Sequence, residues 1–415
     1  GFADFFTVFV QIEGDQFSAL LVEAKSEGIK LGEEEKKMGI KGSSTRQLFF
    51  ENVKVPAENL LGEIGKGHRI AFNVLNVGRF KLCNSVTGGA KSAFQMALNY
   101  ANERQQFKTP IAQFGAIKSK LANMAVRIYG AESATYRVSG LIDNMVKNEV
   151  SNGTPSYEAK RMAAEEYAIE CALLKVFGSE TADNIIDEAL QIHGGMGYSE
   201  EMPVARAYRD SRINRIYEGT NEINRLLSTG MILKRAMKGQ LDLMSTAMQL
   251  QQELMSGSEL SNGLDGGPLA KCKHYIKMSK KAWLMVAGGA AQTLAAKIEE
   301  EQEIMMYIAD MAMELLIAES ALLRTLQLIN KHGEEACEIP SAMTHVLCEE
   351  LILKIQDWGG AAICGFAEGD ALKMMMIGLK KLSKIERGNL IHLRRQIADS
   401  FNSAGEYYIN SKFKY

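Results

Sequence analysis

The chain has 415 residues, of which 46% are hydrophobic, and its 48 Lys and Arg nearly balance its 50 Asp and Glu. This length predicts two to three globular domains with large buried cores. The near-neutral charge, without a long basic run, excludes extended contact with a phosphate backbone, so we expect no nucleic acid partner.

The first part of the chain, residues 1–62, has the residue pattern of β-strands. Strands are predicted at 7–12, 17–22 and 47–55. The stretch 28–44 is rich in Gly, Lys and Glu, and we interpret it as a connection. Three or four strands are too few to close a barrel or a sandwich, so the sequence predicts a partial β domain.

Apolar residues at a period of 3.6 predict that residues 63–238 are almost entirely helical. Four long antiparallel helices joined by short loops are typical of a helix bundle. The predicted helices cover 68–102, 111–149, 157–191, 203–216 and 221–237.

Residues 239–268 differ from the helices on either side, because no Lys or Arg occurs from Gly239 to Ala270. The first half of this stretch predicts an amphipathic helix. A membrane-surface helix usually presents basic residues to anionic lipid, so we expect a linker or docking segment, with membrane association absent or peripheral. A second helical domain follows at 269–415. Its helices are predicted at 269–299, 300–331, 340–364 (ending in Gly359-Gly360) and 368–402.

The cysteines, the histidines and the apolar runs argue against a metal site, a disulfide framework and a membrane span. The six cysteines show no Cys-x-x-Cys spacing, and the six histidines form no His-x-x-x-His pair. We therefore expect reduced thiols, no bound metal, and a cytosol or organelle matrix as the setting. The longest apolar run, 283–296, is shorter than the ~20 residues of a transmembrane helix.

The stretch 212–222 contains the strongest candidate for catalysis. Glu218 precedes Gly219 and a predicted helix N-cap, Thr220, so its carboxylate stands at a chain reversal where a side chain can project into a cavity. Such a carboxylate can act as a base toward a carbon acid. The alternative is an ordinary helix start, in which Thr220 caps the helix and Glu222 complements the helix dipole.

The first long predicted helix contains an arginine, Arg79, within an otherwise apolar segment. A buried arginine requires an anionic partner, and Glu218 is one candidate. The alternative is a solvated helix face.

Two predicted turns in the helical domain have compositions that suit phosphate and ring binding. Arg104 can bind a pyrophosphate in bidentate fashion and Phe107 can cover a flat ring, although a surface arginine that caps carbonyls is the alternative. Gly194 and Gly195, which follow Gln191, can let backbone N–H groups approach a phosphate. A lone glycine pair of this kind is more often a simple turn.

Together these stretches resemble the acyl-CoA dehydrogenase family, and most of all its long- and very-long-chain branch, over nearly the whole chain. The resemblance implies an N-terminal helical domain, a middle β domain and a C-terminal four-helix bundle, with FAD bound between them. In this chain, 1–62 would be the remainder of the β domain, 63–238 the bundle and 269–415 an additional helical domain. The matching runs are 37–45, 53–62, 67–79, 103–107, 191–198, 208–210 and 215–221.

The resemblance makes Glu218 the base that removes the pro-R α-proton of an acyl-CoA thioester, while the β-hydrogen leaves as a hydride to N5 of FAD. The backbone N–H of Glu218, with a ribitol hydroxyl of FAD, would bind the thioester carbonyl and stabilise the developing enolate. Gly78 lies where other branches carry a larger residue. By the same resemblance the substrate side of the site comprises Asn76, Gly78, Arg79, Tyr217 and Gly219.

The resemblance also implies which residues contact FAD. One group would reach the FAD of the neighbouring subunit, and a second group would meet the adenosine part at the start of a helix. The first group is Arg104, Gln106, Phe107, Gln191, Gly194 and Gly195, and the second is Thr220 and Glu222.

Two departures from the medium-chain members matter. Those members end near the position of residue 240, whereas this chain continues as in the very-long-chain branch, in which the extra domain covers the tetramer surface. A homodimer is therefore implied. The family's N-terminal helical domain and the first half of its β domain, which carry much of the acyl pocket, lie upstream of Gly1 and are absent from this sequence.

The resemblance implies oxidation of long-chain or very-long-chain acyl-CoA to trans-2-enoyl-CoA in fatty acid β-oxidation, with electrons passed to electron-transferring flavoprotein. An acyl-CoA oxidase that uses oxygen and a non-catalytic assembly homologue are the alternatives. The expected location is the cytoplasm of a bacterium, or the mitochondrial matrix or inner-membrane face of a eukaryote. The preferred chain length stays open.

Overall fold

A computed structural model describes residues 1–255 and 266–413 of the chain. Part of the predicted linker, residues 256–265, lies outside the described residues. The described chain is mostly helical with a small β part, which confirms the predicted fold class.

The strands of the N-terminal part form two antiparallel sheets. The first sheet joins β1 (Phe5–Ile12), β2 (Gln16–Glu23) and β5 (Leu60–Leu61), and the second joins β3 (Ile29–Glu34) to β4 (Arg46–Phe50). The predicted connection at 28–44 is wrong because it contains β3, and the strand predicted at 47–55 ends at Phe50. β3 and β4 form a two-stranded ribbon with mostly exposed side chains, so neither carries the alternation that marks a half-buried strand.

The β part is fixed to the helices at two points. The Gly65 N–H donates to Oγ of Ser18 at 2.9 Å, just before the first long helix. The Ile40 N–H donates to Oδ1 of Asp210 at 2.6 Å, on a helix of the bundle. These contacts connect both sheets to the helical part of the molecule.

The helices of the bundle follow the predicted order, with one hairpin between them. They are α1 (Gly67–Glu103), α2 (Gly115–Ser151), α3 (Ser156–Glu166), α4 (Ala168–His193), α5 (Pro203–Ser211) and α6 (Asn221–Met237), and the hairpin pairs β6 (Gln105–Gln106) with β7 (Thr109–Pro110). The helix predicted at 203–216 is shorter, because a 3₁₀ turn, Arg212–Arg215, follows α5.

The long helices α1 and α4 run parallel, as the first and third long helices of an up-and-down bundle do. Cys83 of α1 faces Gly178 of α4, and further along both helices Tyr100 stacks on His193 with ring centroids 4.3 Å apart. A Cβ at Gly178 would lie 2.7 Å from Sγ of Cys83. Glycine therefore allows the close approach of these two helices.

The third predicted helix, 157–191, is divided into α3 and α4 at Tyr167. A helix end leaves carbonyls without intrahelical partners, and here side chains satisfy them. Asn76 Nδ2 donates to the carbonyl oxygen of Ala164 at 3.2 Å, and Arg235 Nη2 donates to that of Glu166 at 2.6 Å. Tertiary partners thus stabilise a break that no Pro or Gly marks.

The remaining described helices form a second block. They are α7 (Leu243–Met255), α8 (Ala270–Leu294), α9 (Gln302–His332), α10 (Glu338–Phe366), α11 (Gly369–Leu382), α12 (Leu390–Ala404) and α13 (Ile409–Lys412). α7 confirms the amphipathic helix predicted in the first half of 239–268. The single helix predicted at 368–402 is wrong, because residues 383–389 separate α11 from α12.

Gly359 does not end α10, as the sequence predicted, but lies inside it. A Cβ at Gly359 would lie 3.1 Å from Cδ1 of Leu379 on α11. The glycine therefore admits the packing of α11 and leaves the helix intact to Phe366.

One continuous hydrophobic core joins the bundle and the second block. Tyr129 of α2, for example, is fully buried, and its hydroxyl lies 2.7 Å from Oγ1 of Thr325 on α9. The predicted domain boundaries at 62, 238 and 268 stay predictions. Among the described helices, none combines the length and the hydropathy that crossing a membrane requires.

Candidate active site

Glu218 lies in the connection between α5 and α6, with its carboxylate over α1. Its backbone is left-handed, with φ of 58°, and Gly219 follows with φ of 80°. A Cβ added at Gly78 would lie only 2.6 Å from Oε2 of Glu218. The carboxylate therefore occupies space that any larger residue at position 78 would take.

The base loop, residues 217–221, is held by side chains that donate to successive carbonyl oxygens. Arg79 Nε donates to the carbonyl of Glu218 at 3.2 Å, and Lys175 Nζ donates to that of Gly219 at 2.7 Å. Asn224 Nδ2 donates to the carbonyl of Gly219 at 2.8 Å and to that of Thr220 at 2.9 Å. A left-handed non-glycine residue is costly, and these donors stabilise it.

Lys175 is a residue that the sequence reasoning missed. Its side chain is fully buried, and its ammonium also donates to Oδ1 of Asn221 at 2.8 Å. Burial, with the neighbouring charge of Arg79, lowers the pKa of Lys175 to about 8. The base loop that buries Lys175 is distant from it in sequence. The role of Lys175 is therefore visible only in the folded structure, from its contact with Gly219.

Arg79 is buried, as the apolar surroundings predicted, but its partners are neutral oxygens. Besides the Glu218 carbonyl, Arg79 donates from Nη1 to Oδ1 of Asn76 at 3.1 Å. Burial lowers the pKa of Arg79, and the charge of Glu218 opposes this. Asn76 in turn donates to Ala164 and is buried, so in this structure Asn76 supports Arg79.

The loop leaves both of its reactive groups available. Glu218 is half-buried, and Tyr217 before it is 41% exposed, with its hydroxyl donating to Asn214 at 2.6 Å. The backbone N–H of Glu218 has no acceptor among the residues that the structure describes. A carboxylate and a free N–H donor thus meet at one residue.

The start of α6 has the arrangement of a capped helix. Oγ1 of Thr220 accepts from the N–H of Ile223 at 3.3 Å. The pKa of Glu222 is lowered by a hydrogen bond from its own backbone N–H and by one from the Thr220 hydroxyl. The capping interpretation is correct here, and the contacts of both residues with FAD stay predictions.

The second group of candidate residues lies at the far end of α1. Arg104 is exposed and forms no ion pair with any described residue. Phe107 and Lys108 turn the β6–β7 hairpin with φ of 50° and 64°, and the Phe107 ring is 89% exposed. Gln106 is exposed beside them. The Phe107 ring packs edge-to-face against Phe114, with centroids 6.3 Å apart, and is otherwise exposed. An exposed guanidinium and an exposed ring suit the phosphate and ring contacts of a dinucleotide.

The end of α4 adjoins this hairpin through the stacked pair Tyr100 and His193. Gln191, Gly194 and Gly195 are exposed there, and a Cβ at either glycine would meet no atom within 4 Å. The open backbone fits the approach of a phosphate. His193 is buried, with Nδ1 at 2.7 Å from the carbonyl oxygen of Ala189. Within 1–255 and 266–413, no three His, Cys, Asp or Glu side chains converge as a metal site.

The two groups of candidate residues are far apart on the molecule. Gly78, under the base, and Arg104 are 26 residues apart on α1, which is roughly 39 Å along the helix axis from the rise of an α-helix. This distance exceeds the length of one extended dinucleotide.

Comparison with known proteins defines the class. Two family models, both described as the C-terminal domain of acyl-CoA dehydrogenase, match residues 65–233 and 278–381. A probable acyl-CoA dehydrogenase of Bacillus subtilis is 45% identical over 408 residues, which are 98% of this chain and 68% of that protein. This chain belongs to the acyl-CoA dehydrogenase family.

Two further relatives are similar to the chain along most of its length. The mitochondrial very long-chain specific acyl-CoA dehydrogenase of Homo sapiens is 32% identical over 94% of this chain, which spans 60% of that protein. A crystal structure of an acyl-CoA dehydrogenase from Bacillus anthracis in complex with FAD matches 98% of this chain and 69% of that one, with a TM-score of 0.92 and 46% identity. Each of these three matches covers nearly all of this chain. The chain itself spans about two thirds of the length of those relatives.

Proposed function

We propose that the protein that contains this chain oxidises long-chain or very-long-chain acyl-CoA to trans-2-enoyl-CoA, with FAD as cofactor. The observation that carries this proposal is the base loop. Glu218 presents a carboxylate above Gly78 and a backbone N–H that has no acceptor within the described part of the chain.

The chemistry follows from the weak acidity of the substrate. An α-C–H of a thioester is a poor acid, so a carboxylate removes its proton only where the negative charge on the carbonyl oxygen is stabilised. The Glu218 N–H donates to that oxygen, and a Glu218 carboxylate oxygen accepts the α-proton. FAD, when bound, supplies the hydride acceptor for the β-carbon. The thioester is then left with a double bond between its α- and β-carbons.

The residues behind the loop keep the carboxylate and the N–H in place. Arg79, Lys175 and Asn224 donate to the loop carbonyls, so the peptide groups cannot rotate without losing charge-assisted hydrogen bonds. A preorganised donor costs no rearrangement when charge develops on the substrate. This is the physical reason for a buried arginine and a buried lysine at this place.

The FAD contacts come from two subunits in this proposal. The base end of one subunit and the hairpin end of its partner complete each site, because the two ends of one subunit are roughly 39 Å apart along α1. Arg104, Gln106 and Phe107 then reach the FAD of the partner, with Gln191, Gly194 and Gly195 beside them. A homodimer satisfies this requirement with two equivalent sites.

The preference for long acyl chains and the electron acceptor are also proposals. The likeness to the very long-chain relative over 94% of the chain, which includes the second helical block, supports a long-chain substrate. We propose electron-transferring flavoprotein as the acceptor and the cytoplasm, or the mitochondrial matrix in a eukaryote, as the location.

The test is the turnover of the purified protein with butyryl-, octanoyl-, palmitoyl- and behenoyl-CoA. Each substrate is assayed with electron-transferring flavoprotein under nitrogen and, separately, with oxygen alone. We expect the highest kcat/KM for palmitoyl- or behenoyl-CoA with the flavoprotein. A maximum at butyryl-CoA contradicts the long-chain proposal. Stoichiometric hydrogen peroxide in the oxygen assay identifies an oxidase, and a protein without FAD that does not turn over any substrate identifies a non-catalytic homologue.

A further inference from the structure

A pair of buried cysteines with a histidine lies in the second helical block, away from the base loop. Cys272 is in the first turn of α8, and its Sγ lies 3.2 Å from Nδ1 of His345 on α10. Cys348 lies three residues after His345 on α10, so its side chain is on the same face of that helix, toward Cys272. Both cysteines are buried and reduced. We call these three residues the Cys272 cluster.

The surroundings of Cys272 favour its thiolate. The Cys348 thiol and the His345 imidazole lower the pKa of Cys272 to about 6 against the opposing effect of burial. The N-terminal end of α8 also favours a negative charge in its first turn. Glu349 opposes the thiolate, but its carboxylate accepts from the Gly388 N–H at 3.1 Å.

Two other buried cysteines of the chain, Cys83 and Cys171, lie in surroundings that favour the protonated thiol. Burial raises the pKa of Cys83 to about 11 and that of Cys171 to about 12. These thiols stay protonated near neutral pH and react slowly with oxidants. The chain therefore contains its own internal controls for the reactivity of the Cys272 cluster.

A cavity reaches the histidine of the cluster, whereas both sulfurs lie buried behind it. It has a volume of about 570 Å³, and His345 forms part of its wall together with Leu269, Ser341 and Gln396. Leu269 is three residues before Cys272 on the chain. A molecule as small as hydrogen peroxide fits in a cavity of this size, next to the imidazole that contacts Cys272.

We propose that Cys272 and Cys348 are a peroxide-oxidised dithiol, with Cys272 as the attacking sulfur and Cys348 as the resolving one. The Cys272 thiolate attacks one oxygen of hydrogen peroxide, the O–O bond breaks, and a sulfenic acid and hydroxide form. The Cys348 sulfur then displaces the hydroxyl group as water, and a disulfide forms. Overall, two thiols and one hydrogen peroxide give one disulfide and two molecules of water. This proposal does not depend on the proposed acyl-CoA oxidation.

The test uses the wild-type protein. It is treated with hydrogen peroxide, blocked with iodoacetamide and digested without reductant. A glutamate-specific protease suits the digestion, because trypsin would cut at Lys271 and Lys273 on both sides of Cys272. Mass spectrometry is expected to find the Cys272 and Cys348 peptides joined, with the loss of two hydrogen atoms, and dithiothreitol is expected to separate them. Free thiols at both positions while the exposed Cys364 is oxidised would overturn the proposal.

Variants test the order of the two steps. In Cys348→Ser, the sulfenic acid at Cys272 has no resolving thiol and is expected to be trapped by dimedone, whereas Cys364→Ser is expected to form the disulfide as the wild type does. His345→Gln is expected to slow disulfide formation several-fold at pH 7. Dimedone on Cys348 instead of Cys272, or a disulfide that joins either cysteine to Cys83 or Cys171, would contradict the assignment.

Discussion

Gly78 sets the space that the base carboxylate occupies. A Cβ at this position would lie 2.6 Å from Oε2 and 2.9 Å from Cδ of Glu218, which is closer than carbon and oxygen atoms pack. Gly78→Ala is therefore expected to displace the carboxylate and to lower kcat about 100-fold. FAD content is expected to stay unchanged. Steady-state kinetics and the flavin absorbance of the purified variant measure both.

The matched control is Gly88→Ala on the same helix, ten residues further along α1. A Cβ at Gly88 would meet no atom within 4 Å. Alanine is the better helix former, so this variant is expected to gain about 0.8 kcal/mol in the free energy of unfolding, with kcat unchanged. Equal losses of kcat in both variants would mean that helix α1, and not the carboxylate, is responsible.

The sequence predicts some of the residues at the site and not others. Glu218 stands out because a second acid beside a cap residue is not needed to start a helix. Arg79 stands out because it interrupts an apolar helix face. Lys175 does not stand out, because a lysine among apolar residues of a helix also occurs at a solvated edge, and its burial comes from the base loop of another segment. Only the folded structure brings the two together.

Arg225 of helix α6, which follows the base loop, bridges α6 to both α4 and α9. Arg225 donates to Glu180 and to Asp310, each at 2.7 Å, and its side chain is 12% exposed. Burial raises the pKa of Asp310, and Arg225 opposes this. Arg225→Met leaves Asp310 buried without a counter-charge and is expected to lower the free energy of unfolding by about 3 kcal/mol. Urea denaturation measures the change.

Lys234→Met on the same helix is the control. Lys234 is exposed, and the ion pairs of the described chain do not include it. This variant is expected to change the free energy of unfolding by less than about 0.5 kcal/mol. Equal effects of the two variants would mean that helix propensity, and not the buried ion pair, determines the stability of α6.

Among the secondary-structure elements, the sequence predicts the long helices. It misses a helix break that is stabilised by side chains from other helices. The period of apolar residues identifies α1 and α2 nearly to their ends. The break at Tyr167 is missed because Asn76 and Arg235, from other helices, satisfy the freed carbonyls.

The base loop and the Arg104 hairpin lie at opposite ends of α1, and their separation leads to a prediction for the whole dimer. If the Arg104 end serves the partner's FAD, one subunit needs an intact base and its partner needs an intact hairpin. Glu218→Gln and the double variant Arg104→Ala/Phe107→Ala are each expected to be nearly inactive. A mixed dimer of the two contains one site with both intact parts and is expected to turn over acyl-CoA.

The measurement is the activity of the two variants after they are co-expressed with different affinity tags and purified through both. Mixed dimers without activity, while each variant still folds, would mean that the base and the hairpin of one subunit serve the same FAD. Each homodimer is purified through its single tag and serves as the control for residual activity.

The central claim is that Glu218 removes the α-proton, and anaerobic flavin bleaching tests it most directly. Palmitoyl-CoA is expected to bleach the FAD absorbance of the wild type and of Glu201→Gln, a variant of an exposed acid before α5. In Glu218→Gln the protein is expected to keep its FAD and to bleach about 1,000-fold more slowly, because the amide does not accept the proton. Bleaching of Glu218→Gln at the wild-type rate would contradict the account.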